Sequence, residues 1–126
     1  MAETADHSRR TGPALEKWYQ FLRWLGPVVE RFPRSHKFTL GERIFTGALD
    51  VLDHLIEATY SRQATPLLIQ ANLGLEKLRF LFRLAVDLQL LDLRRHEFAA
   101  RAVDEVGRLV GGWIRAKGRH DAQAAH

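Results

Sequence analysis

The sequence contains no cysteine. That absence excludes a disulfide framework, a thiolate zinc site and a cysteine nucleophile, and it fits a reducing cytoplasm. No stretch approaches the roughly 20 apolar residues of a membrane-spanning helix. The opening residues MAETADHSRRTGP carry charges with no apolar run of signal-peptide type behind them. A cytoplasmic protein outside the membrane is expected. Missing too are the G-x-S-x-G, H-E-x-x-H, Walker and dinucleotide-glycine patterns, and no segment sustains the period-two alternation of a half-buried strand. Neither catalytic residues nor a cofactor are expected.

What remains is one domain's worth of helical sequence. A chain of 126 residues can bury one hydrophobic core and is too short for a second independent one. Its 19 Lys and Arg against 15 Asp and Glu leave a formal charge of +4. Most of the cations are Arg, whose planar guanidinium pairs with phosphate in a bidentate manner and stacks on bases. A charge of this size is also ordinary for a soluble domain, so composition alone only leans toward a polyanionic partner.

Four segments show helical periodicity, between a polar, disordered leader over residues 1–12 and a basic, disordered tail over residues 119–126. The domain therefore spans residues 13–118. The first helix is predicted from Pro13 to Phe32, with Leu15, Trp18, Leu22, Leu25, Val29 and Phe32 in one stripe. Pro27 predicts a kink or early break near Arg23 to Gly26. The second helix opens on Thr39-Leu-Gly-Glu42, which has the form of a capping box, and runs to about Tyr60. Phe45, Ala48, Leu52 and Leu55 form its stripe, and Ile44, Val51 and Ala58 widen it. The third starts at Thr65-Pro66 and runs to about Leu90, with Leu68, Ala71, Leu75, Leu78, Phe82 and Ala85 in a heptad-like seam. The fourth starts near the N-cap Asp92 and ends around Lys117, with Gly118 beyond and Val106, Leu109, Trp113 and Ile114 facing inward.

Short connections imply antiparallel neighbours, hence an all-α, up-down-up-down four-helix bundle. Gly107 and Gly111 each cost about 1 kcal/mol against Ala in a helix interior, which predicts a close helix approach there. Leu73, Phe80 and Leu84 fall outside the seam of the third helix. Spare apolar surface on the second and third helices predicts a homo-oligomer.

Few constellations could carry chemistry. Asp50, His54 and Glu57 lie at i, i+4 and i+7 on one helix face, but a di-metal bundle needs two Glu-x-x-His elements, and the sequence has none. The trio reads more readily as a solvated acidic face than as a metal site. The cations say more. The proline-bounded corner from Arg31 to Lys37 holds Arg31, Arg34 and Lys37 without an acid. The third helix carries Lys77, Arg79 and Arg83, and the last two are an i,i+4 like-charge pair. Such a pair asks for a nearby anion, either a phosphate or a carboxylate such as Asp50 or Asp53. Arg94, Arg101, Arg108 and Arg115 recur every seven residues along the fourth helix, where Glu97 and Asp104 stand four residues before Arg101 and Arg108 and can neutralise the middle of the stripe. Arg115, Lys117 and Arg119 have no such partner in the local sequence.

Three runs carry a family resemblance. Trp24-Leu-Gly-Pro27-Val-Val-Glu-Arg-Phe32-Pro33-Arg34-Ser-His36, Gly74-Leu-Glu-Lys-Leu-Arg79-Phe80-Leu-Phe-Arg83 and Glu105-Val-Gly107-Arg108-Leu-Val-Gly111-Gly-Trp113-Ile114 resemble the accessory variability determinant (Avd) proteins of bacterial and phage diversity-generating retroelements. The likeness extends from residue 18 to about 119, and the third run is its most specific part. It implies a four-helix protomer in a basic, barrel-shaped homopentamer that binds the retroelement's reverse transcriptase and nucleic acid, RNA or DNA, while catalysing nothing itself. In that family the complex supports mutagenic copying of a template-repeat RNA. Arg34, Arg79, Arg83 and Arg108 fall on matching motif positions; Arg94 and Arg101 lie outside them. With Lys37, Lys77, Arg115, Lys117 and Arg119, the four matching arginines are the expected partner-binding residues. The first run is also shared with the four-helix proteins of 23S ribosomal RNA intervening sequences, an alternative without a reverse transcriptase partner. A metal-binding bundle on Asp50, His54 and Glu57 is the third reading.

Overall fold

A computed structural model describes the backbone from Ala2 to Ala124 and the side chains from Thr11 to Ala124. The expected leader lies outside the described side chains apart from Thr11 and Gly12. Four long helices make up the chain, and no strand occurs among the described residues. They are α1 (Ala2–Glu30), α2 (Glu42–Tyr60), α3 (Ala64–Asp87) and α4 (Leu93–Ala124). Between α1 and α2 the corner is itself helical, with a single turn at Arg34–His36 and a π-helical turn at Lys37–Gly41.

Helix α1 is interrupted at Gly12, whose φ of 81° and ψ of 168° suit only glycine. Pro13 follows as the first residue of the packed segment, where its missing N–H costs nothing. Pro27 does not break the helix as expected, since Gly12 is the single non-helical position inside α1. Its ring lies on the exposed side, where water can reach the carbonyl that is left without its donor.

The expected capping box at Thr39 is also absent. The Thr39 hydroxyl instead donates to the His36 carbonyl at 3.3 Å. The π-helical turn already supplies the Glu42 N–H with the Lys37 and Thr39 carbonyls, so no side-chain cap is needed. Helix α3 begins at Ala64 rather than at a Thr65 cap, and it stops at Asp87. There Gln89 turns left-handed (φ 61°), and Gln89 and Leu90 donate to the Val86 and Ala85 carbonyls. That bond pair is a Schellman stop with glutamine where glycine is usual. Asp92 caps α4 as expected, its Oδ1 accepting the Arg95 N–H at 2.8 Å. At the far end α4 continues through Gly118 to Ala124 instead of ending, because Gly118 keeps a negative φ.

One core joins all four helices. Every stripe residue expected in α1 and in the α3 seam is buried. In α2 the buried row is Ile44, Ala48, Val51, Leu55 and Ala58, with Phe45 and Leu52 at its edge. In α4 it is Ala99, Val103, Val106 and Val110, which moves Leu109, Trp113 and Ile114 to the margin. Trp18, fully buried, donates its indole N–H to the Ala48 carbonyl at 2.9 Å.

Neighbouring residues register the helices against one another. Gly26 lies by Phe45, and Gly41 by Val29; Gly74 meets Val51, and Gly47 meets Leu78; Gly107 lies by Leu75. Lys17 pairs with Glu105 at 2.9 Å. Of the glycines, Gly74 leaves the least room: a Cβ there would stand 2.6 Å from Val51 Cγ2. Gly107 and Gly111 do not fill that role. A Cβ at Gly107 would find only ordinary van der Waals neighbours in Arg79 and Leu75, and at Gly111 only the Arg115 side chain of its own helix.

Candidate nucleic-acid and partner interface

The nine expected binding residues divide by what holds them. Arg79 is engaged: its Nε donates to Glu76 at 2.8 Å and its Nη1 to the Asp104 carboxylate of α4. The hydrogen bond to Asp104 is the main reason its pKa is raised. The anion that Arg79 requires thus comes from α4 and not from Asp50 or Asp53, and it is the acid whose spacing would pair it with Arg108. Lys37 pairs with Glu30 at 2.8 Å and stands 5.4 Å over the Phe38 ring. Lys117 has Asp121 at 3.8 Å, a partner absent from the expectation.

The other six are free among the described residues. Arg34, Lys77, Arg83, Arg108, Arg115 and Arg119 are all exposed. Among the described residues none of them has a carboxylate within 4.0 Å. Arg108 is unpaired because Asp104 turns to Arg79. Arg101 does pair with Glu97 at 2.5 Å, as the four-residue spacing suggests. The structure does not gather the nine into one site. They lie at the corner, on α3 and along α4.

Helix α3 presents a second feature. Ile69, Leu73, Phe80 and Leu84 are exposed, Phe80 to 63%. Their spacing puts them on the side opposite the buried seam. Beside them runs a groove of about 610 Å³ between α2 and α3, lined by Arg43, Asp50, His54, Leu73, Lys77 and Phe80, among others. Gly47 and Gly74 lie along it, so the depression follows from the close packing of the two helices. His54 Nδ1 is buried with no hydrogen-bond partner among the described residues. No group of three His, Asp or Glu that could hold a metal forms among the described residues, so Asp50, His54 and Glu57 do not assemble as a ligand set.

Sequence reasoning missed an aromatic cluster. Phe21 lies 4.9 Å from Trp18 and 5.5 Å from Trp24, and Trp24 lies 4.5 Å from Phe98 of α4, all between ring centroids. Phe98 is half exposed. Its signal in the sequence is a single aromatic among charges, which periodicity alone would place on a solvated face.

Among the described residues, no helix is long and apolar enough to cross a membrane. Fold and surface together define an all-helical, four-helix protein rich in unpaired surface cations. Residues 14–117 match the model of the family described as bAvd-like, and the chain belongs to that family. No curated protein matches it.

Proposed function

We propose that the chain is a non-catalytic accessory protein of a diversity-generating retroelement, binding the reverse transcriptase and nucleic acid to support mutagenic reverse transcription. Family membership over residues 14–117 supplies the biological setting. On this chain's own surface, the observation that carries the reading is the set of six exposed cations, among them Arg83 and Arg108, that no carboxylate among the described residues neutralises. Unpaired arginines gain by meeting phosphate, which releases its counterions and needs no sequence readout.

The protomer runs up-down-up-down. In support, residues late in one helix lie by residues early in a neighbour: Gly26 by Phe45, Leu78 by Gly47, Arg79 by Asp104. The protomers assemble as a barrel-shaped homopentamer, using the apolar outer face of α3 around Leu73 and Phe80. Such a face on an isolated protomer is larger than scattered surface apolar residues require. Five copies at +4 would concentrate about 20 charges on one particle, enough to steer nucleic acid toward it.

The test is capture of the reverse transcriptase encoded beside this gene by the tagged full-length protein, with nucleic-acid binding measured as salt is raised. Capture together with a steep fall in affinity supports the proposal. Failure to bind either at low salt would overturn it.

A further inference from the structure

We infer that Trp24 and Phe98 form a stacking platform for an unpaired base, making the α1–α4 seam a site for single-stranded nucleic acid. The inference rests on the nucleic-acid reading above and narrows it to one strand state and one surface.

The platform is built from the core outward. Trp18 is wholly buried and Phe21 nearly so, and the Phe21 ring meets Phe82 edge-on at 6.1 Å. Trp24 stacks on Phe21 at 28° between planes, and Phe98 closes on Trp24 at a tilt of 39°. Each ring is thereby fixed by the one behind it. Phe98, the outermost, keeps half of its surface open. A ring held rigidly on its inner side and free on its outer side gives up little entropy when a base stacks on it, and every base has a face to offer.

The surrounding charge suits a phosphate backbone. Arg94 is one helical turn before Phe98, and Arg31 lies just past the end of α1, two turns beyond Trp24. Arg31 lines a hollow of about 560 Å³ together with Leu93 and Arg95. Arg31 and Arg94 are exposed, and neither has a carboxylate within 4.0 Å among the described residues. Next to them the other charges are committed: Arg95 to Asp92, Arg101 to Glu97 and Lys37 to Glu30. Setting these five cations against three carboxylates leaves two positive charges at one end of the platform. A base on Phe98 with phosphates toward Arg94 and Arg31 satisfies both features, whereas a duplex keeps its bases stacked inside and can use only the charges.

The experiment follows tryptophan fluorescence of the full-length protein as single-stranded oligothymidine, or a duplex of equal length, is added at low salt. Single strands should quench the emission and the duplex should not. Phe98→Ala should weaken single-strand binding on the order of tenfold and leave duplex binding unchanged, while Phe98→Tyr retains both. Because Phe98 is half exposed, Phe98→Ala should keep its helical circular dichroism; Arg94→Ala offers a second variant that leaves the packing alone. If Phe98→Ala and Arg94→Ala both bind single strands as the parent does, the platform is overturned while the broader reading stands. Loss of reverse transcriptase capture alone in Phe98→Ala also overturns it, in favour of a protein interface. No binding of either nucleic acid by the parent protein would remove the reading beneath it as well.

Discussion

Arg79 of α3 donates to the Asp104 carboxylate of α4 and, through its Nε, to Glu76 one turn earlier on its own helix. This arrangement removes the like-charge conflict with Arg83, because one guanidinium is neutralised twice and the other is left alone on the surface. It also frees Arg108, which Asp104 would otherwise hold.

The two arginines of α3 should therefore behave differently. Arg79→Ala breaks a half-exposed two-carboxylate network and should cost about 1 kcal/mol in urea unfolding, near the upper end for exposed pairs. Arg83→Ala should leave stability unchanged and weaken nucleic-acid binding. The double variant Arg83→Ala/Arg108→Ala should also lower the slope of log affinity against log salt, by roughly 0.7 to 0.9 for each phosphate that is no longer neutralised. An unchanged slope would place the bound phosphates elsewhere.

Assembly should depend on the outer face of α3. Phe80→Glu adds a charge at a side chain that points mostly into solvent, so the helical content should persist. The expected result is a smaller particle by light scattering at micromolar concentration. A parent protein that already scatters as a monomer would exclude the oligomer.

Two glycine substitutions should move stability in opposite directions. Gly74→Ala drives a Cβ to 2.6 Å from Val51 Cγ2; overpacking of this kind typically costs about 1 to 3 kcal/mol, against about 1 kcal/mol gained in helix propensity. Adding Val51→Ala should recover part of the loss, which a double-mutant cycle would detect. Gly118→Ala meets nothing within 4 Å and should stabilise the end of α4 by up to about 1 kcal/mol.

Asp92 sets a pH dependence. The Arg95 backbone N–H, and next the charges of its arginine neighbours, hold its carboxyl below the usual value of 3.8. A folded pKa below the unfolded one means that the stabilisation is present above 3.8 and is lost as pH falls through the folded value. Asp92→Ala should thus lower the urea midpoint at neutral pH and make no difference at strongly acidic pH. Amide exchange should quicken first in the opening turn of α4.

At the other end of that connection, Gln89 holds a left-handed conformation that glycine adopts without penalty. Gln89→Gly should raise stability by roughly 1 kcal/mol, measured by thermal unfolding. A loss would show that the glutamine side chain contributes more than its backbone strain costs.

Periodicity by itself determined the four helices, the buried rows of α1 and α3, the start at Pro13 and the cap at Asp92. These depend on residues within a few turns of one another, where spacing and capping chemistry act directly. It also marked Leu73, Phe80 and Leu84 as surplus to the core. Tertiary structure decided the rest, because the rotation and axial offset of each helix against its neighbours are not written in its own period. A small rotation of α2 moves Phe45 and Leu52 from the core to its edge, and one of α4 does the same to Leu109 and Trp113. The axial offset of α3 on α4 gives Arg79 to Asp104 instead of to an acid of α2, and that of α2 on α3 puts the close approach at Gly74 instead of Gly107. The same offset between α1 and α4 brings Trp24 against Phe98, residues far apart in the chain whose meeting has no local signature.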